Sequence, residues 1–149
     1  MQAMHAMLKQ AFPGQMVSIG SYNNDLSRVV VSTVSARHPR AYHVLLDRKR
    51  IVTLGSERPW IDSANIGEQR WVTYTARDGL QIPAILDLPA GWKQGDAPLP
   101  TIINPHGGPW SRDMMGWDSS GWVPFLTSRG YAVLRPQYRG STGLGRKLW

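Results

Sequence analysis

Four consecutive residues of this chain combine a histidine, two glycines and a proline: His106-Gly107-Gly108-Pro109. They follow directly on the apolar run at residues 99–104, which has the composition of a short strand. Because glycine has no side chain, its backbone N–H can approach a ligand that a larger residue would keep away. Amides exposed in this way stabilise the negative charge that a carbonyl oxygen gains during acyl transfer. The stretch therefore predicts a loop that supplies one donor of an oxyanion hole.

Acyl transfer also needs a nucleophile, which for a serine on such a sheet is typically carried by the turn G-x-S-x-G. The only glycines four residues apart are Gly91 and Gly95, and the residue midway between them is Lys93. Ser141 lies in a glycine-rich stretch but lacks the elbow spacing. We therefore expect a truncated chain whose nucleophile comes from elsewhere, and we expect these 149 residues alone to be inactive.

Composition excludes several classes of function. Apolar residues make up 42% and charged residues 18% of the chain, and no apolar run is long enough to cross a bilayer. The net charge of +7 is spread over dispersed basic residues, which predicts a solvated surface rather than a nucleic-acid site. Without cysteine, and with histidines that lack metal-ligand spacing, we expect no metal and no cofactor. The first residues lack a signal peptide, which favours the cytoplasm by default, and the oligomeric state stays open.

The first half of the chain carries four short runs with strand character, separated by turn residues. These predicted strands lie at residues 16–19, 28–34, 41–46 and 50–54. Four antiparallel strands of this length match one blade of a β-propeller. Since a single blade cannot bury its own faces, we expect residues 1–60 to be the C-terminal end of a β-propeller-like domain.

The second half shows a different order of elements after a linker at residues 55–69. Asp78-Gly79 predicts a hairpin turn between strands at 71–76 and 80–86, in which Pro83 predicts an edge or bulge position. A short buried strand at 101–104, a helix between 118 and 129 and a strand at 131–134 follow. In the helix, the residues that fit one apolar stripe with a basic end are Trp122, Val123, Phe125, Leu126 and Arg129, and we expect Trp122 to fill core and interdomain surface.

Three motifs in this half occur in a fixed order: residues 106–113, 125–134 and 138–146. Together they resemble the prolyl oligopeptidase family, most closely its acylaminoacyl-peptidase-like branch, and residues 75–80 are similar too. The resemblance covers residues 71–149 well and the first seventy residues only by pattern. It implies a β-propeller followed by an α/β-hydrolase domain, of which residues 61–149 would be the incomplete start.

The resemblance also implies an activity and roles for individual residues. The complete protein would be a serine peptidase that cleaves short peptides through a Ser-Asp-His triad, all of which would lie beyond Trp149. Gly108 matches the glycine whose backbone N–H joins the oxyanion hole. Gly107 would allow the turn, and His106 and Pro109 would shape the loop. Arg139 would either contact the substrate or brace its own loop.

Three alternatives remain from the sequence. An esterase of the same fold would use the same loop, and a non-catalytic remnant would keep it as part of an interaction module. Nucleotide binding is not expected, although residues 140–148 nearly spell a P-loop. Arg146 stands where the phosphate-binding lysine is required, and Leu148 stands where a magnesium-binding hydroxyl should be. A peptide is therefore the expected partner, with neither nucleic acid nor membrane.

Overall fold

A computed structural model describes residues 2–108 and 110–149. The chain divides into two compact units, the first ending at Ser63 and the second spanning Ala64–Trp149. The first unit consists of α1 (Gln2–Ala11), β1 (Met16–Tyr22), β2 (Arg28–Val34), β3 (Ala41–Leu46) and β4 (Arg50–Ser56). Each strand pairs antiparallel with the next, in the order β1-β2-β3-β4. This sheet is consistent with the propeller-like segment expected from the sequence.

Helix α1 contributes to the core of the first unit and was not predicted from the sequence. Met4 and Leu8 are buried in a cluster with Val29, Val31 and Leu45. Their spacing of four residues places both side chains on one helical face. The helix has no acidic residue in its first turn, so the end signals that mark a helix in a sequence are weak here.

His43 is a second core feature of this unit, in the middle of the sheet on β3. Its Nε2 lies 3.0 Å from Oγ1 of Thr33 on β2, and its Nδ1 lies 3.1 Å from Oγ1 of Thr53 on β4. The ring of Phe12 packs against it, with 4.5 Å between ring centroids. Burial lowers the pKa of His43 below its ordinary value of 6.5, so its neutral form is favoured.

The second unit consists of β5 (Gln69–Thr75), β6 (Gln81–Asp87), β7 (Thr101–Ile103), α2 (Trp122–Thr127) and β8 (Ala132–Pro136). Its sheet has the order β5-β6-β8-β7, in which only β7 and β8 run parallel among the described strands. Strand β8 is buried on both faces, as predicted. The expectation that β7 is buried was wrong, since Ile103 is 64% exposed at the outer position of the described sheet.

Pro83 occupies a different position from the predicted edge or bulge. It lies in β6, between β5 and β8, and pairs with Thr73 without a register shift. Its carbonyl accepts the N–H of Gln137 at 2.8 Å, just beyond the last paired residue of β8. In a strand, the N and C=O of one residue point to the same side. The N–H that Pro83 lacks would therefore have faced β8, at the position where the ladder between β6 and β8 ends.

Helix α2 is shorter than predicted and buries only part of the predicted apolar stripe. Val123 of that stripe is buried, together with Thr127, whereas Trp122 and Phe125 are 64% and 47% exposed. The expectation that Trp122 is buried was therefore wrong, and the guanidinium of Arg129 lies 3.8 Å from the centroid of the exposed Phe125 ring. No helix in the described part of the chain is long and apolar enough to span a membrane.

Candidate active site

The two segments that follow β7 and β8 lie side by side, because the parallel strands end at the same edge of the sheet. We call residues 104–108 and 110–121 the β7 loop and residues 137–145 the β8 loop. The N–H of Asn104 donates to the carbonyl of Leu134 at 2.9 Å and extends the pairing to the start of the β7 loop. The motif predicted to donate to an oxyanion follows directly.

His106 begins that motif, and its ring has two hydrogen-bond partners. Nδ1 lies 2.8 Å from the carbonyl oxygen of Gly107, which can only accept, so Nδ1 carries the hydrogen. Nε2 is then an acceptor, and the hydroxyl of Ser141 donates to it at 2.8 Å. These partners assign one neutral tautomer to the imidazole and tie it to the β8 loop.

Tyr138 holds the same histidine from a second direction. Its ring stacks on the imidazole, with centroids 4.4 Å apart and an angle of 19° between the planes. Its hydroxyl donates to the carbonyl of His106 at 2.5 Å. Both the side chain and the backbone of His106 are thus fixed by residues of the β8 loop.

Gly108 adopts a φ of 148°, a backbone conformation that residues with a side chain rarely adopt. A Cβ at this position would lie 2.9 Å from the backbone nitrogen of Trp110 and 3.2 Å from that of Ser111. The residue is exposed, and no acceptor among the described residues takes its N–H. At Gly107, by contrast, a Cβ would meet nothing within 4 Å. Of the two glycines, only Gly108 is required by its conformation and surroundings.

Further contacts between the two loops follow Gly108. The N–H of Thr142 donates to the carbonyl of Ser111 at 2.9 Å, and Nη1 of Arg112 donates to the carbonyl of Gly143 at 3.4 Å. The β8 loop therefore contacts the β7 loop on both sides of Gly108, at His106 and at residues 111 and 112.

Two glutamine side chains hold the β7 loop further along. Oε1 of Gln137 accepts the N–H of Asp113 at 3.1 Å, and its Nε2 donates to the carbonyl of the same residue at 3.0 Å. Oε1 of Gln69 on β5 accepts the N–H of Gly116 at 2.7 Å, and its Nε2 donates to the Gly116 carbonyl at 3.4 Å. Each amide pairs with the backbone as a neighbouring strand would.

A buried ion pair lies beneath these contacts. Arg135 donates through Nε and Nη2 to the two carboxylate oxygens of Asp87, at 2.9 and 3.3 Å, and both residues are 6% exposed. Nε2 of Gln69 donates to Oδ1 of Asp87 at 2.6 Å, and Nη1 of Arg135 lies 3.8 Å from Oδ1 of Asp113. The two charges are therefore paired with each other, and the pair also contacts Gln69, which holds the β7 loop, and Asp113, which belongs to it.

Two further residues, Arg139 and Pro109, were predicted for the site from the sequence. The guanidinium of Arg139 pairs with the carboxylate of Asp78, in the turn between β5 and β6, and lowers the pKa of that carboxyl. Pro109 lies outside the described residues. In the described residues, no group of three or more histidine, aspartate or glutamate side chains could hold a metal ion.

Sequence reasoning missed the partners that hold the loop, above all Gln69, Gln137 and Ser141. One signal was available for two of them. Strands at 101–104 and 131–134 joined by a helix predict a parallel pair, and neighbouring parallel strands end at one edge. Residues just after the second strand, including Gln137 and Ser141, could have been placed beside His106 on that basis. No comparable signal points to Gln69.

The chain therefore combines an antiparallel four-stranded sheet with a second, mixed sheet that carries a His-Gly-Gly loop, and proteins with the same combination are the ones to compare it with. The homologues of this chain are peptidases of the prolyl oligopeptidase family, which confirms the resemblance noted in its sequence. No protein-family model matches the chain.

Three proteins illustrate the likeness. Dipeptidyl aminopeptidase BIII of Pseudoxanthomonas mexicana is 34% identical over 141 residues, which are 90% of this chain and 20% of that protein. The human acylamino-acid-releasing enzyme is 39% identical over 79 residues, which are 53% of this chain and 10% of that enzyme. A crystal structure of a puromycin hydrolase variant superposes with a TM-score of 0.59 at 30% identity, covering 90% of this chain and 20% of its own. The chain thus spans about a fifth of the length of the first relative and of this structure.

Proposed function

We propose that this chain is part of a serine peptidase that hydrolyses short peptides through an acyl-enzyme intermediate. Residues 61–149 would form the start of an α/β-hydrolase domain, and residues 1–60 the C-terminal end of a β-propeller-like domain. The backbone N–H of Gly108 would be one donor of the oxyanion hole. Since the chain spans about a fifth of its relatives' length, the catalytic triad is expected from residues outside it.

The observation that carries this proposal is the state of Gly108. The residue is exposed, and its N–H has no acceptor among the described residues, at the edge where the parallel strands β7 and β8 end. In open α/β sheets, ligands bind outside the carboxyl ends of the strands. A donor that is held there before the substrate arrives stabilises the developing oxyanion without reorganisation.

Ser141 and His106 are hydrogen-bonded, but we do not propose them as a nucleophile and its base. Ser141 is fully buried, so a substrate carbonyl cannot reach its hydroxyl. The histidine Nδ1 is engaged by the carbonyl of Gly107 rather than by a carboxylate that would stabilise an imidazolium. The pair is better suited to shaping the loop that presents Gly108.

The test compares two alanine variants of the whole protein that contains these residues. We expect Gly108→Ala to lower kcat about a hundredfold or more with a much smaller change in KM, because the oxyanion donor is displaced. Gly20→Ala in β1 is the matched control and should keep nearly normal kcat, since its Cβ would make an ordinary contact with the Val30 carbonyl oxygen at 3.7 Å. Peptide p-nitroanilides and esters should both be assayed. Near-normal kcat for Gly108→Ala would contradict the assigned role, and hydrolysis of esters alone would favour an esterase.

A further inference from the structure

We propose that Gln137 and Gln69 are positioning residues that hold the β7 loop against the sheet and so keep the N–H of Gly108 in place. The inference rests on the proposed function, because it concerns the loop that would carry the oxyanion donor. Each glutamine uses its amide as a single-residue strand partner for the loop backbone. Neither residue touches the substrate in this proposal.

Gln137 is the more deeply buried of the two anchors. Its side chain is completely buried, and its own N–H donates to the carbonyl of Pro83 on β6. Both polar atoms of its amide bind the backbone of one residue, Asp113, as donor and as acceptor. A side chain that is held by its backbone at one end and by two hydrogen bonds at the other has little freedom to move.

Gln69 is oriented by a charge. Its Nε2 donates to Oδ1 of Asp87, a carboxylate paired with Arg135 that can only accept. Because the amino group must face that carboxylate, the amide oxygen is left to accept the N–H of Gly116. A flipped amide would place two acceptors against each other at Asp87 and two donors against each other at the Gly116 N–H. The ion pair therefore determines which way Gln69 presents itself to the loop.

The two anchors matter because the loop itself is irregular. No helix or strand is present in its described residues between Ile103 and Trp122. The loop is held before Gly108 at His106, and after it first at Ser111 and Arg112 and then, by the two glutamines, at Asp113 and Gly116. Loss of one of the later contacts would let the segment that contains Gly108 shift, and a misplacement of about 1 Å can cost about a hundredfold in rate.

Substitutions in the whole protein test this role. We expect Gln137→Met and Gln69→Met each to lower kcat about tenfold to a hundredfold while KM changes less than about twofold, because transition-state contacts are more sensitive to geometry. Gln81→Met is the matched control and should leave kcat unchanged, since the Gln81 side chain donates to the exposed Thr75 hydroxyl in the β5–β6 hairpin and has no hydrogen bond to the β7 loop among the described residues. Melting temperatures identify any variant that has unfolded.

Gln137→Glu provides a second test at the same position with almost the same shape. An ionised glutamate keeps the acceptor for the Asp113 N–H but loses the donor to the Asp113 carbonyl, whereas a protonated glutamate has both. The ratio of its kcat to that of the wild type should therefore rise as the pH is lowered. A folded Gln137→Met with kcat within about twofold of wild type, or a Gln137→Glu ratio that is low and does not change with pH, overturns the proposal.

Amide hydrogen exchange separates this proposal from the proposed function. In Gln137→Met the exchange of the Asp113 amide should accelerate at least about tenfold, and in Gln69→Met that of the Gly116 amide, whatever the protein hydrolyses. Unchanged exchange at both amides overturns the anchoring even in an active enzyme. Faster exchange in a protein without hydrolytic activity supports the anchoring and counts against the proposed function alone.

Discussion

The hydroxyl of Ser141 donates to Nε2 of His106 at 2.8 Å, across 35 residues of sequence. The contact joins the loops that follow two neighbouring parallel strands, β7 and β8. It resembles a serine–histidine catalytic pair in distance only, because the serine is fully buried and the other ring nitrogen faces a carbonyl. Its physical role is to fix the imidazole in one tautomer and hold the start of the glycine motif.

Replacing Ser141 by alanine should therefore affect stability rather than remove the nucleophile. The change leaves Nε2 of His106 without its donor, which we expect to lower the free energy of unfolding by about 1–3 kcal/mol. Urea unfolding of the whole protein measures this. A fluorophosphonate probe that reacts with catalytic serines should still label the variant. Loss of labelling in a folded Ser141→Ala protein would identify Ser141 as the nucleophile and contradict our interpretation.

The buried pair of Asp87 and Arg135 should be far more sensitive to substitution than an exposed pair. Asp87→Asn removes the carboxylate that accepts two hydrogen bonds from the buried Arg135 guanidinium and leaves it the Asp113 carboxylate at 3.8 Å, and breaking a buried pair typically costs about 3–5 kcal/mol. Chemical denaturation should show a loss of this size. The matched control is Asp78→Asn, which breaks the exposed pair with Arg139 and should change the midpoint little. Equal losses of stability in the two variants would show that burial does not determine how much the Asp87–Arg135 pair contributes to the free energy of unfolding.

His43 should make the first unit less stable in acid. Its pKa is lower in the fold than in the unfolded chain, so the unfolded state binds the proton more readily. The contribution of His43 to stability is therefore complete above its unfolded pKa of about 6.5, and is lost as the pH falls towards the folded pKa. Thermal unfolding at pH 7.5 and at pH 5 should show this, and His43→Gln should reduce the difference. A variant with the full wild-type pH dependence would rule out His43 as its source.

Local patterns predicted much of the fold correctly. The bounds of β2 and β3 agree with the predicted strands at 28–34 and 41–46, since alternation and turn residues act within a few positions. The Asp78-Gly79 turn likewise joins β5 and β6, whose register pairs Thr75 with Gln81. By the same reasoning, the parallel arrangement of β7 and β8 follows from a strand, a helix and a strand in sequence.

Where local patterns failed, the outcome depended on a distant partner. Trp122, Val123 and Phe125 belong to the predicted apolar stripe, but of these three Val123 alone is buried. The periodicity of apolar residues indicates that a helix has an apolar face, whereas only the packing of the folded chain decides which residues are buried. The same holds for β7, whose apolar composition predicted burial that its outer position in the described sheet does not provide.

The sequence by itself determined the kind of chemistry and the family resemblance, since a His-Gly-Gly motif and its two companions are runs of adjacent residues. Only the tertiary structure decided which side chains hold that motif. Ser141 reaches His106 across 35 residues, Gln69 reaches Gly116 across 47, and Arg139 turns to Asp78 across 61. Such contacts depend on which strands are neighbours and on which face each side chain lies. Those relations arise from the packing of the whole sheet, and the order of the elements in the sequence indicates only which loops are neighbours, not which side chains meet.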